Sequence, residues 1–388
     1  MREIQMVDLQ RQYEKIKEDV DQGIQRVVDS AAFIKGPEVK LFQSDLASYL
    51  DVKHVIPCGN GTDALQVAMM ALGLQAGDEV ITTTFTFVST AEVIALLGLK
   101  PVLVDCDYET FLINTEELEK AITTKTKAIV PVHLFGQCAN MEEILNIAKK
   151  HDLKVIEDAA QSMGAQFHFS NGETKASGTM GDFGCTSFFP SKNLGCFGDG
   201  GALFTHDDRL AEKAEMIVNH GMKVRYHHDE IGMNSRLDSI QAAVLRVKLK
   251  KLDQYNDARR KVADFYDREF AEMDEVMIPK REQNSSHVFH QYTLKVVGMN
   301  RDELREQLIQ QKVPAMIYYP IPMHLQKAYL QDTENQRDFP KAEVLANQVL
   351  SLPMHTELDQ EQLKYIAKSV KNIIKRNQKQ MVEKNINL

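Results

Sequence analysis

Residues 128–162 read AIVPVHLFGQCANMEEILNIAKKHDLKVIEDAAQS. Two short apolar runs, Ala128 to Val132 and Leu153 to Glu157, enclose a stretch with helical periodicity. A strand, a helix and a second strand in this order predict one βαβ unit of a parallel sheet. Glu157 and Asp158 then stand at the end of the second strand, where open α/β sheets bind their ligands.

The same alternation continues on both sides of this unit. Helix-like stretches cover residues 63–74, 89–99 and 114–122. Further runs of strand length are His54–Pro57, Glu79–Thr83, Pro101–Asp105, Cys185–Phe189 and Gly201–Thr205. The rhythm predicts an α/β fold with a mostly parallel sheet that helices cover on both faces.

The pattern changes after Arg236. Residues 237–273 predict one long helix that links a large domain, residues 1–245, to a smaller α+β domain, with linker helix and small domain together spanning 246–388. In the smaller domain we expect strands near His290–Val297 and Val313–Tyr319 and helices near Asp302–Gln311 and Lys341–Leu350.

Composition excludes several classes of protein. The chain has 388 residues, 43% of them hydrophobic and 26% charged, as is typical of a globular protein. Its net charge of −9 argues against nucleic acid as the main partner. No apolar run approaches the roughly 18 residues of a membrane span, and the N-terminus lacks a secretory signal. Five scattered cysteines without a CxxC pair predict no metal site and fit reduced thiols in the cytoplasm.

A glycine-rich turn, CGNGTDA at residues 58–64, follows the first predicted strand. Backbone N–H groups and a helix dipole converge there, so the turn could hold a phosphate, with Thr62 capping the helix and offering its hydroxyl. The GxGxxA spacing also fits a dinucleotide site, although the next strand, EVITTT, ends without the acid that would bind a ribose. By itself, the motif also fits a turn that binds no ligand.

Asp158 is costly to bury unless a cation or a strong donor faces it. A protonated pyridine nitrogen is such a partner, and the alternative is an Asp that only caps the following helix. Phe87, in TFTFVST, could stack on a flat ring or belong to the core.

Lys192 lies in TSFFPSKNLGCFGDGG, residues 186–201, on a loop between two predicted strands. A partly desolvated lysine is nucleophilic toward an aldehyde, whereas an isolated loop lysine is normally a solvated charge. Asp158 precedes Lys192 by 34 residues (192 − 158), and with the glycine turn the two predict one site. Pyridoxal 5′-phosphate requires these three groups for its ring nitrogen, aldehyde and phosphate.

These motifs resemble those of the DegT/DnrJ/EryC1/StrS family of nucleotide-sugar aminotransferases, which use pyridoxal 5′-phosphate. The resemblance is carried by GNGTDAL, TFVST, GQCA, EDAAQS, SFFPSKNLG, GDGGA and NSRLDSIQAA, and it extends from Val7 to His355.

The resemblance implies a fold-type I (aspartate aminotransferase-like) enzyme working as a homodimer with composite active sites. It implies that Lys192 is the Schiff-base lysine and Asp158 the partner of the pyridinium. It also implies cofactor contacts for Gly61, Thr62, Asp63 and Ser187 at the phosphate, Gln161 beside the phenolic oxygen, Phe87 on the ring face, and Asn234 at the neighbouring subunit's phosphate.

The stretches Arg225–His228 and Asn234–Arg236 resemble the branch of the family that acts on UDP-2-acetamido-2-deoxy-3-oxo-glucuronate. In that branch, an arginine at the position of Arg236 faces the sugar carboxylate, and an interdomain salt bridge is the alternative role. The resemblance extends to Tyr226 and His228 and departs at Tyr318, where a histidine is expected. Tyr226, His228, Tyr318 and Tyr319 are nevertheless candidate substrate-binding residues, and His324 could line the same cleft or be structural.

We therefore expect an amino group to pass from L-glutamate to the C3 ketone of a nucleotide sugar, in surface-polysaccharide or O-antigen biosynthesis. Relatives that perform dehydration replace the lysine with histidine, so Lys192 favours transamination. The alternatives are a dTDP-3- or 4-keto-6-deoxysugar as substrate, a non-catalytic sugar-nucleotide-binding regulator, and a dinucleotide-dependent oxidoreductase.

Overall fold

A computed structural model describes residues 1–329 and 338–386. The helices within these residues are α1 (Leu9–Ser30), α2 (Pro37–Leu50), α3 (Gly61–Ala71), α4 (Ser89–Leu96), α5 (Thr115–Lys120), α6 (Met141–His151), α7 (Asp208–Ile217), α8 (Ser239–Leu249), α9 (Leu252–Phe270), α10 (Arg301–Gln310), α11 (Pro340–Gln348) and α12 (Gln360–Ile386). The strands are β1 (His54–Cys58), β2 (Glu79–Thr83), β3 (Lys100–Val104), β4 (Thr126–Val130), β5 (Lys154–Asp158), β6 (Gln166–His168), β7 (Thr174–Ala176), β8 (Phe183–Ser187), β9 (Gly201–Thr205), β10 (Met222–Val224), β11 (His227–His228), β12 (Val276–Met277), β13 (Tyr292–Val296) and β14 (Val349–Leu352).

Seven strands form the main sheet in the order β1-β9-β8-β5-β4-β2-β3. The five strands from β8 to β3 are parallel, whereas β9 runs antiparallel to both of its neighbours. The predicted α/β class with a mostly parallel sheet is therefore confirmed, with strand ends displaced by up to two residues. The parallel arrangement brings the carboxyl ends of β2, β4, β5 and β8 to one edge.

Helices cover both faces of this sheet because successive strand residues point to opposite sides. Ile156 of β5 packs in a core cluster with α3 and α7, whereas its neighbour Val155 packs with α6 on the other face. Both side chains are at most 2% exposed. This alternation sends Asp158 to the side of α3 and α4, and Glu157 to the opposite side.

The single long helix predicted over residues 237–273 is wrong. The structure has two helices, α8 and α9, separated at Lys250 and Lys251. The break redirects the chain, so that α8 packs against α1 and α2, whereas the later turns of α9 pack against α12 in the core of the C-terminal part.

The C-terminal part has a small antiparallel sheet, β12-β13-β14, packed with α9, α10 and α12. The strand predicted over Val313–Tyr319 is wrong, because only one bridge forms there, between Met316 and Ser351. Pro314, which lacks an N–H donor, stands within the predicted strand and limits pairing. The helix predicted to reach Leu350 ends at Gln348, and the chain continues as β14.

Polar contacts fix this C-terminal part to the segment that follows β3. The Asp105 carboxylate accepts hydrogen bonds from the N–H groups of Lys341 and Ala342 at the start of α11. Lys295 donates to the carbonyl oxygen of Tyr108 over 2.9 Å. Every helix within residues 1–329 and 338–386 is too short or too polar to span a membrane.

Candidate active site

Asp158 ends β5 with its carboxylate buried and held by two neutral donors. The Thr90 hydroxyl of α4 donates to Oδ2 over 2.8 Å, and the Ala160 N–H donates to Oδ1 over 3.2 Å. Only 7% of the residue is exposed. A carboxylate held in this way remains a favourable partner for a cation, because neutral donors only partly replace its lost hydration.

Glu157, the preceding residue, has a different environment. Its fully buried carboxylate accepts hydrogen bonds from His133 Nε2 and from the N–H groups of Gly178, Met180 and Gly181, over 2.6 to 2.9 Å. The N–H of Ala139 donates to Nδ1 of the same imidazole, which places the proton on Nε2. Glu157 therefore stabilises the fold, and of the two predicted acids only Asp158 has a role to offer a ligand.

Lys192 lies on the loop of residues 188–200 between β8 and β9, which we call the lysine loop. Two backbone hydrogen bonds close it, from Cys196 N–H to the Phe188 carbonyl and from Phe188 N–H to the Gly200 carbonyl, over 2.8 and 2.7 Å. Burial lowers the pKa of Lys192 to about 8, although nearby Asp158 raises it. The amine is thus partly neutral near physiological pH, as a nucleophile toward an aldehyde must be.

The N-terminus of α3 forms the third part of the site. Asn60 caps the helix, since its Oδ1 accepts from the Asp63 N–H over 2.8 Å. The predicted cap, Thr62, is therefore wrong, because the helix begins at Gly61 and Thr62 already lies inside it. By helix geometry, the N–H groups of Gly61 and Thr62 have no intrahelical acceptor, and the dipole adds positive potential.

A glycine is required at position 61 by its contact with Ser187. A Cβ on Gly61 would lie 2.7 Å from the Ser187 Cβ, closer than real Cβ contacts allow. This close approach brings the hydroxyl at the end of β8 beside the helix N-terminus. The Thr62 hydroxyl is 2.8 Å from that of Ser89. The arrangement gathers hydroxyl and N–H donors in the manner of a phosphate site.

Asp63 has partners within the chain for its carboxylate and its N–H. Its Oδ2 accepts from the Ser235 hydroxyl over 2.6 Å, and Ser235 Oγ in turn accepts from the Gly59 N–H. Asp63 therefore anchors the 235–236 segment to the glycine turn, and its predicted phosphate contact stays a prediction.

Gln161, Tyr319 and Phe87 converge beside Asp158. The Gln161 side chain accepts from the Phe135 N–H over 2.8 Å and donates to the Tyr319 hydroxyl over 3.1 Å. The ring centroids of Phe87 and Tyr319 are 6.1 Å apart, and 53% of Phe87 is exposed. Burial raises the pKa of Tyr319, so its hydroxyl stays protonated. Phe87 thus presents an open aromatic face at the site.

Four predicted residues lie on the segment between α7 and α8. Tyr226 and His228 belong to the β10–β11 hairpin, where 76% of Tyr226 is exposed. Asn234 is also exposed. The Arg236 side chain lines a cleft of about 400 Å³ together with Lys35 and residues of α2 and α7. Among the described residues Arg236 pairs with no carboxylate, so the interdomain salt bridge considered as its alternative role does not form.

Tyr318 and His324 pack between the sheet and the C-terminal part. Tyr318 is half-buried against Tyr319, with ring centroids 6.0 Å apart. His324 is buried, with Nδ1 2.8 Å from the Thr84 hydroxyl and Nε2 3.3 Å from Glu343. These contacts give His324 a docking role rather than a place in the cleft.

Sequence reasoning missed two residues of the site. Thr90 ends the TFVST motif, and its hydroxyl could have marked it as a candidate site residue. Its contact with Asp158, however, joins residues 68 positions apart, which a local pattern does not predict. His290 is buried, and burial together with nearby Lys192 and Arg259 lowers its pKa well below the ordinary value, so the imidazole is neutral. No local signal marked His290.

The residues present fit pyridoxal 5′-phosphate. A carboxylate for the ring nitrogen, an amine of lowered pKa for the aldehyde and a helix N-terminus with hydroxyls for the phosphate all lie at one edge of the sheet. No group of three or more potential metal ligands occurs among the described residues.

A family model, described as the DegT/DnrJ/EryC1/StrS aminotransferase family, matches residues 14–371. Three relatives align over nearly their whole lengths. The pleiotropic regulatory protein of Geobacillus stearothermophilus is 48% identical, over 95% of this chain and 97% of its own. UDP-2-acetamido-2-deoxy-3-oxo-D-glucuronate aminotransferase of Pseudomonas aeruginosa is 45% identical, over 95% and 100%. UDP-N-acetyl-3-dehydro-alpha-D-glucosamine 3-aminotransferase of Acidithiobacillus ferrooxidans is 43% identical, over 96% and 98%.

Solved structures give the same result. S. venezuelae DesV superposes with a TM-score of 0.92 at 36% identity, covering 96% of this chain and 99% of its own. The ntda protein of Bacillus subtilis, solved with bound cofactor PMP (pyridoxamine phosphate), superposes with a TM-score of 0.89 at 32% identity, covering 97% and 86%.

Proposed function

The chain belongs to the DegT/DnrJ/EryC1/StrS aminotransferase family, and from this premise we propose that it aminates the 3-keto group of a UDP-linked sugar, with L-glutamate as donor. The resemblance in the motifs is thereby confirmed. The observation that carries the proposal is the meeting of Lys192, Asp158 and the α3 N-terminus at one sheet edge, in a chain two of whose relatives are named for UDP-3-oxo sugars.

Pyridoxal 5′-phosphate, the cofactor of this family, supplies the aldehyde that carries the amino group and the ring that accepts electron density. The remaining work falls to the protein. The carboxylate of Asp158 favours a protonated ring nitrogen, and the Thr90 hydroxyl fixes the orientation of this carboxylate. Lys192 Nζ, with a pKa of about 8, removes and returns a proton at the reacting carbon. The N-terminus of α3, with Thr62 and Ser187, holds the phosphate.

The sugar carboxylate is assigned to Arg236. Its guanidinium has no carboxylate partner among the described residues. The pKa of Lys35 is lowered mainly by burial and also by the nearby positive charge of Arg236. A planar guanidinium that is not already paired is suited to bind a carboxylate through two hydrogen bonds.

A homodimer would bring Arg236, Asn234, Tyr226 and His228 to a neighbouring active site. The segment that bears them exposes large apolar side chains, with Ile231 86% and Val224 59% exposed. Exposed apolar side chains clustered in this way are typical of a surface that another chain covers. Asn234, exposed within one chain, would then reach the phosphate of the partner's cofactor.

Two substrates that differ at one carbon test this proposal. The UDP-3-oxo-glucuronate sugar of the P. aeruginosa relative and the UDP-3-oxo-glucosamine sugar of the A. ferrooxidans relative are offered together with glutamate. Mass spectrometry follows the exchange of ketone for amine. We expect preferential amination of the uronate, and loss of that preference in Arg236→Leu but not in Lys40→Leu, which changes another cation of the same cleft.

Exclusive reaction of dTDP-6-deoxy-ketosugars would overturn the substrate assignment. A regulatory protein is the second candidate function, because of the name that the G. stearothermophilus relative carries. Cofactor binding without amination of any of these ketosugars would favour it. The presence of both Lys192 and Asp158 supports the enzyme instead.

A further inference from the structure

Two buried polar side chains from neighbouring helices form hydrogen bonds with the lysine loop. Lys248 lies on α8 and Asn256 on α9, and each is 1% exposed. Neither was among the predicted site residues.

Lys248 donates from Nζ to the carbonyl oxygen of Gly195 over 2.6 Å, three residues after Lys192 (195 − 192). The same ammonium lies 5.5 Å from the centroid of the Phe197 ring. Lysine is almost never fully buried without a partner, since its hydration must be replaced. Here a carbonyl and an aromatic face of the loop replace it only in part, since burial lowers the pKa of Lys248 to about 8. Keeping this amine in the interior therefore depends on the loop conformation.

Asn256 connects the lysine loop to the segment that follows Asp158. Its Oδ1 accepts from Nδ2 of Asn193 over 2.7 Å, and its own Nδ2 donates to the Met163 carbonyl over 3.1 Å. Asn193 is adjacent to Lys192. A Cβ on Gly164, at φ +87°, would lie 2.4 Å from Asn256 Nδ2, so a glycine there makes room for the amide. One side chain thus fixes the spacing between the two segments that carry Lys192 and Asp158.

We propose that Lys248 and Asn256 are positioning residues for Lys192, holding the lysine loop so that its amine stays shielded from water opposite Asp158. This inference rests on the proposed function only for its catalytic meaning, because the contacts themselves involve the protein alone. A loosened loop admits water, and hydration favours the ammonium form of Lys192.

The test measures Lys192 directly in the cofactor-free protein. Acetic anhydride acylates only neutral amines, and mass spectrometry of the peptide that contains Lys192 gives the labelling rate at each pH. The midpoint of the pH profile reports the pKa, whereas greater access to the reagent changes only its amplitude. The variants are Lys248→Met and Asn256→Leu, which keep the approximate volume without the donors.

A matched control is Lys295→Met. Lys295 is also 1% exposed, donates to a backbone carbonyl, that of Tyr108, and lies 4.2 Å from an aromatic centroid, but it holds the 105–112 loop. Circular dichroism establishes that each variant folds.

We expect the midpoint for Lys192 to rise from about 8 by about one pH unit in Lys248→Met and Asn256→Leu. It should stay unchanged in Lys295→Met. Pyridoxal 5′-phosphate should bind the first two variants about tenfold more weakly. Folded variants with an unchanged midpoint, or an equal shift in the control, would overturn the inference.

The two possible failures are distinguishable. A wild-type protein that does not bind the cofactor through Lys192 contradicts the proposed function, whatever the variants do. A wild type that binds it, with variants whose Lys192 midpoint is unaltered, contradicts only the positioning role.

Discussion

The hydroxyl of Thr90 donates a 2.8 Å hydrogen bond to Oδ2 of Asp158 and thereby joins α4 to the end of β5. Both side chains are buried. The bond fixes the carboxylate that the ring nitrogen of the cofactor requires, and it comes from the same helix whose preceding loop carries Phe87. This hydrogen bond therefore links the residue proposed to face the ring nitrogen, Asp158, to the helix that follows Phe87, the residue proposed to stack on the ring.

Replacing Thr90 with valine should lower kcat/KM about tenfold, because a hydrogen bond to a charged group is lost without a change of shape. The matched control is Thr82→Val, whose hydroxyl donates over 2.8 Å to the Val130 carbonyl in the same sheet. Steady-state kinetics give kcat/KM for both variants and the wild type. An equal loss of activity in both variants would assign Thr90 a general packing role.

Asp158→Asn should fold and still present Lys192, yet lose at least about 10²-fold in turnover, since a neutral amide does not stabilise a protonated ring nitrogen. The control is Asp182→Asn, at the opposite end of β5, where the carboxylate accepts from the Val155 N–H. Turnover in Asp158→Asn close to the wild-type value would remove Asp158 from the mechanism.

Glu157→Gln should destabilise the fold by about 2–3 kcal/mol, because the amide nitrogen of Gln would face backbone N–H donors. Urea unfolding measures the loss, with exposed Glu173→Gln as the control. Cofactor bound per folded molecule should not change. A selective loss of cofactor at wild-type stability would show that Glu157, rather than Asp158 alone, acts in the site.

The lowered pKa of Lys192 gives stability a defined pH dependence. Its pKa is about 8 in the folded protein against an ordinary 10.5, so between these values the unfolded chain binds more protons and wild-type stability rises with pH. At pH 7 the free energy of unfolding of the cofactor-free Lys192→Met variant should therefore be roughly 1–3 kcal/mol larger than that of the wild type.

That advantage should disappear above pH 10.5, where Lys192 is neutral in both states. Unfolding by urea at a series of pH values gives the difference, and exposed Lys250→Met should show none of it. A stability gap that does not depend on pH would mean that Lys192 is not desolvated.

Complementation tests the composite site. Lys192→Ala and Asn234→Ala should each be inactive alone, and refolding them together should restore partial activity, since a mixed dimer has one site with both residues. Lys192→Ala mixed with Asp158→Asn is the control, because each of those residues is assigned to the same chain's site. Recovery in the control, or none in the test pair, would contradict the shared site.

Local sequence patterns accounted for the strands of the main sheet. Runs such as residues 201–205, GALFT, are mostly apolar and short because both sheet faces are covered, and all five residues of β9 are buried. The pattern predicted less well where packing decides. Residues 237–273 keep helical periodicity across Lys250 and Lys251, yet the helix breaks there, and α8 and α9 pack against different helices. Val313–Tyr319 reads as a strand but pairs only at Met316.

The sequence by itself determined the fold class and the family and singled out Lys192 and Asp158 as candidate site residues, because short-range periodicity and motifs of a few residues are properties of the chain alone. Only the tertiary structure decided that Thr90 holds Asp158, that Glu157 turns to the opposite side, and that Lys248 and Asn256 hold the lysine loop. Those contacts join residues 24 to 68 positions apart, and which side chains meet across such separations depends on how sheet and helices pack.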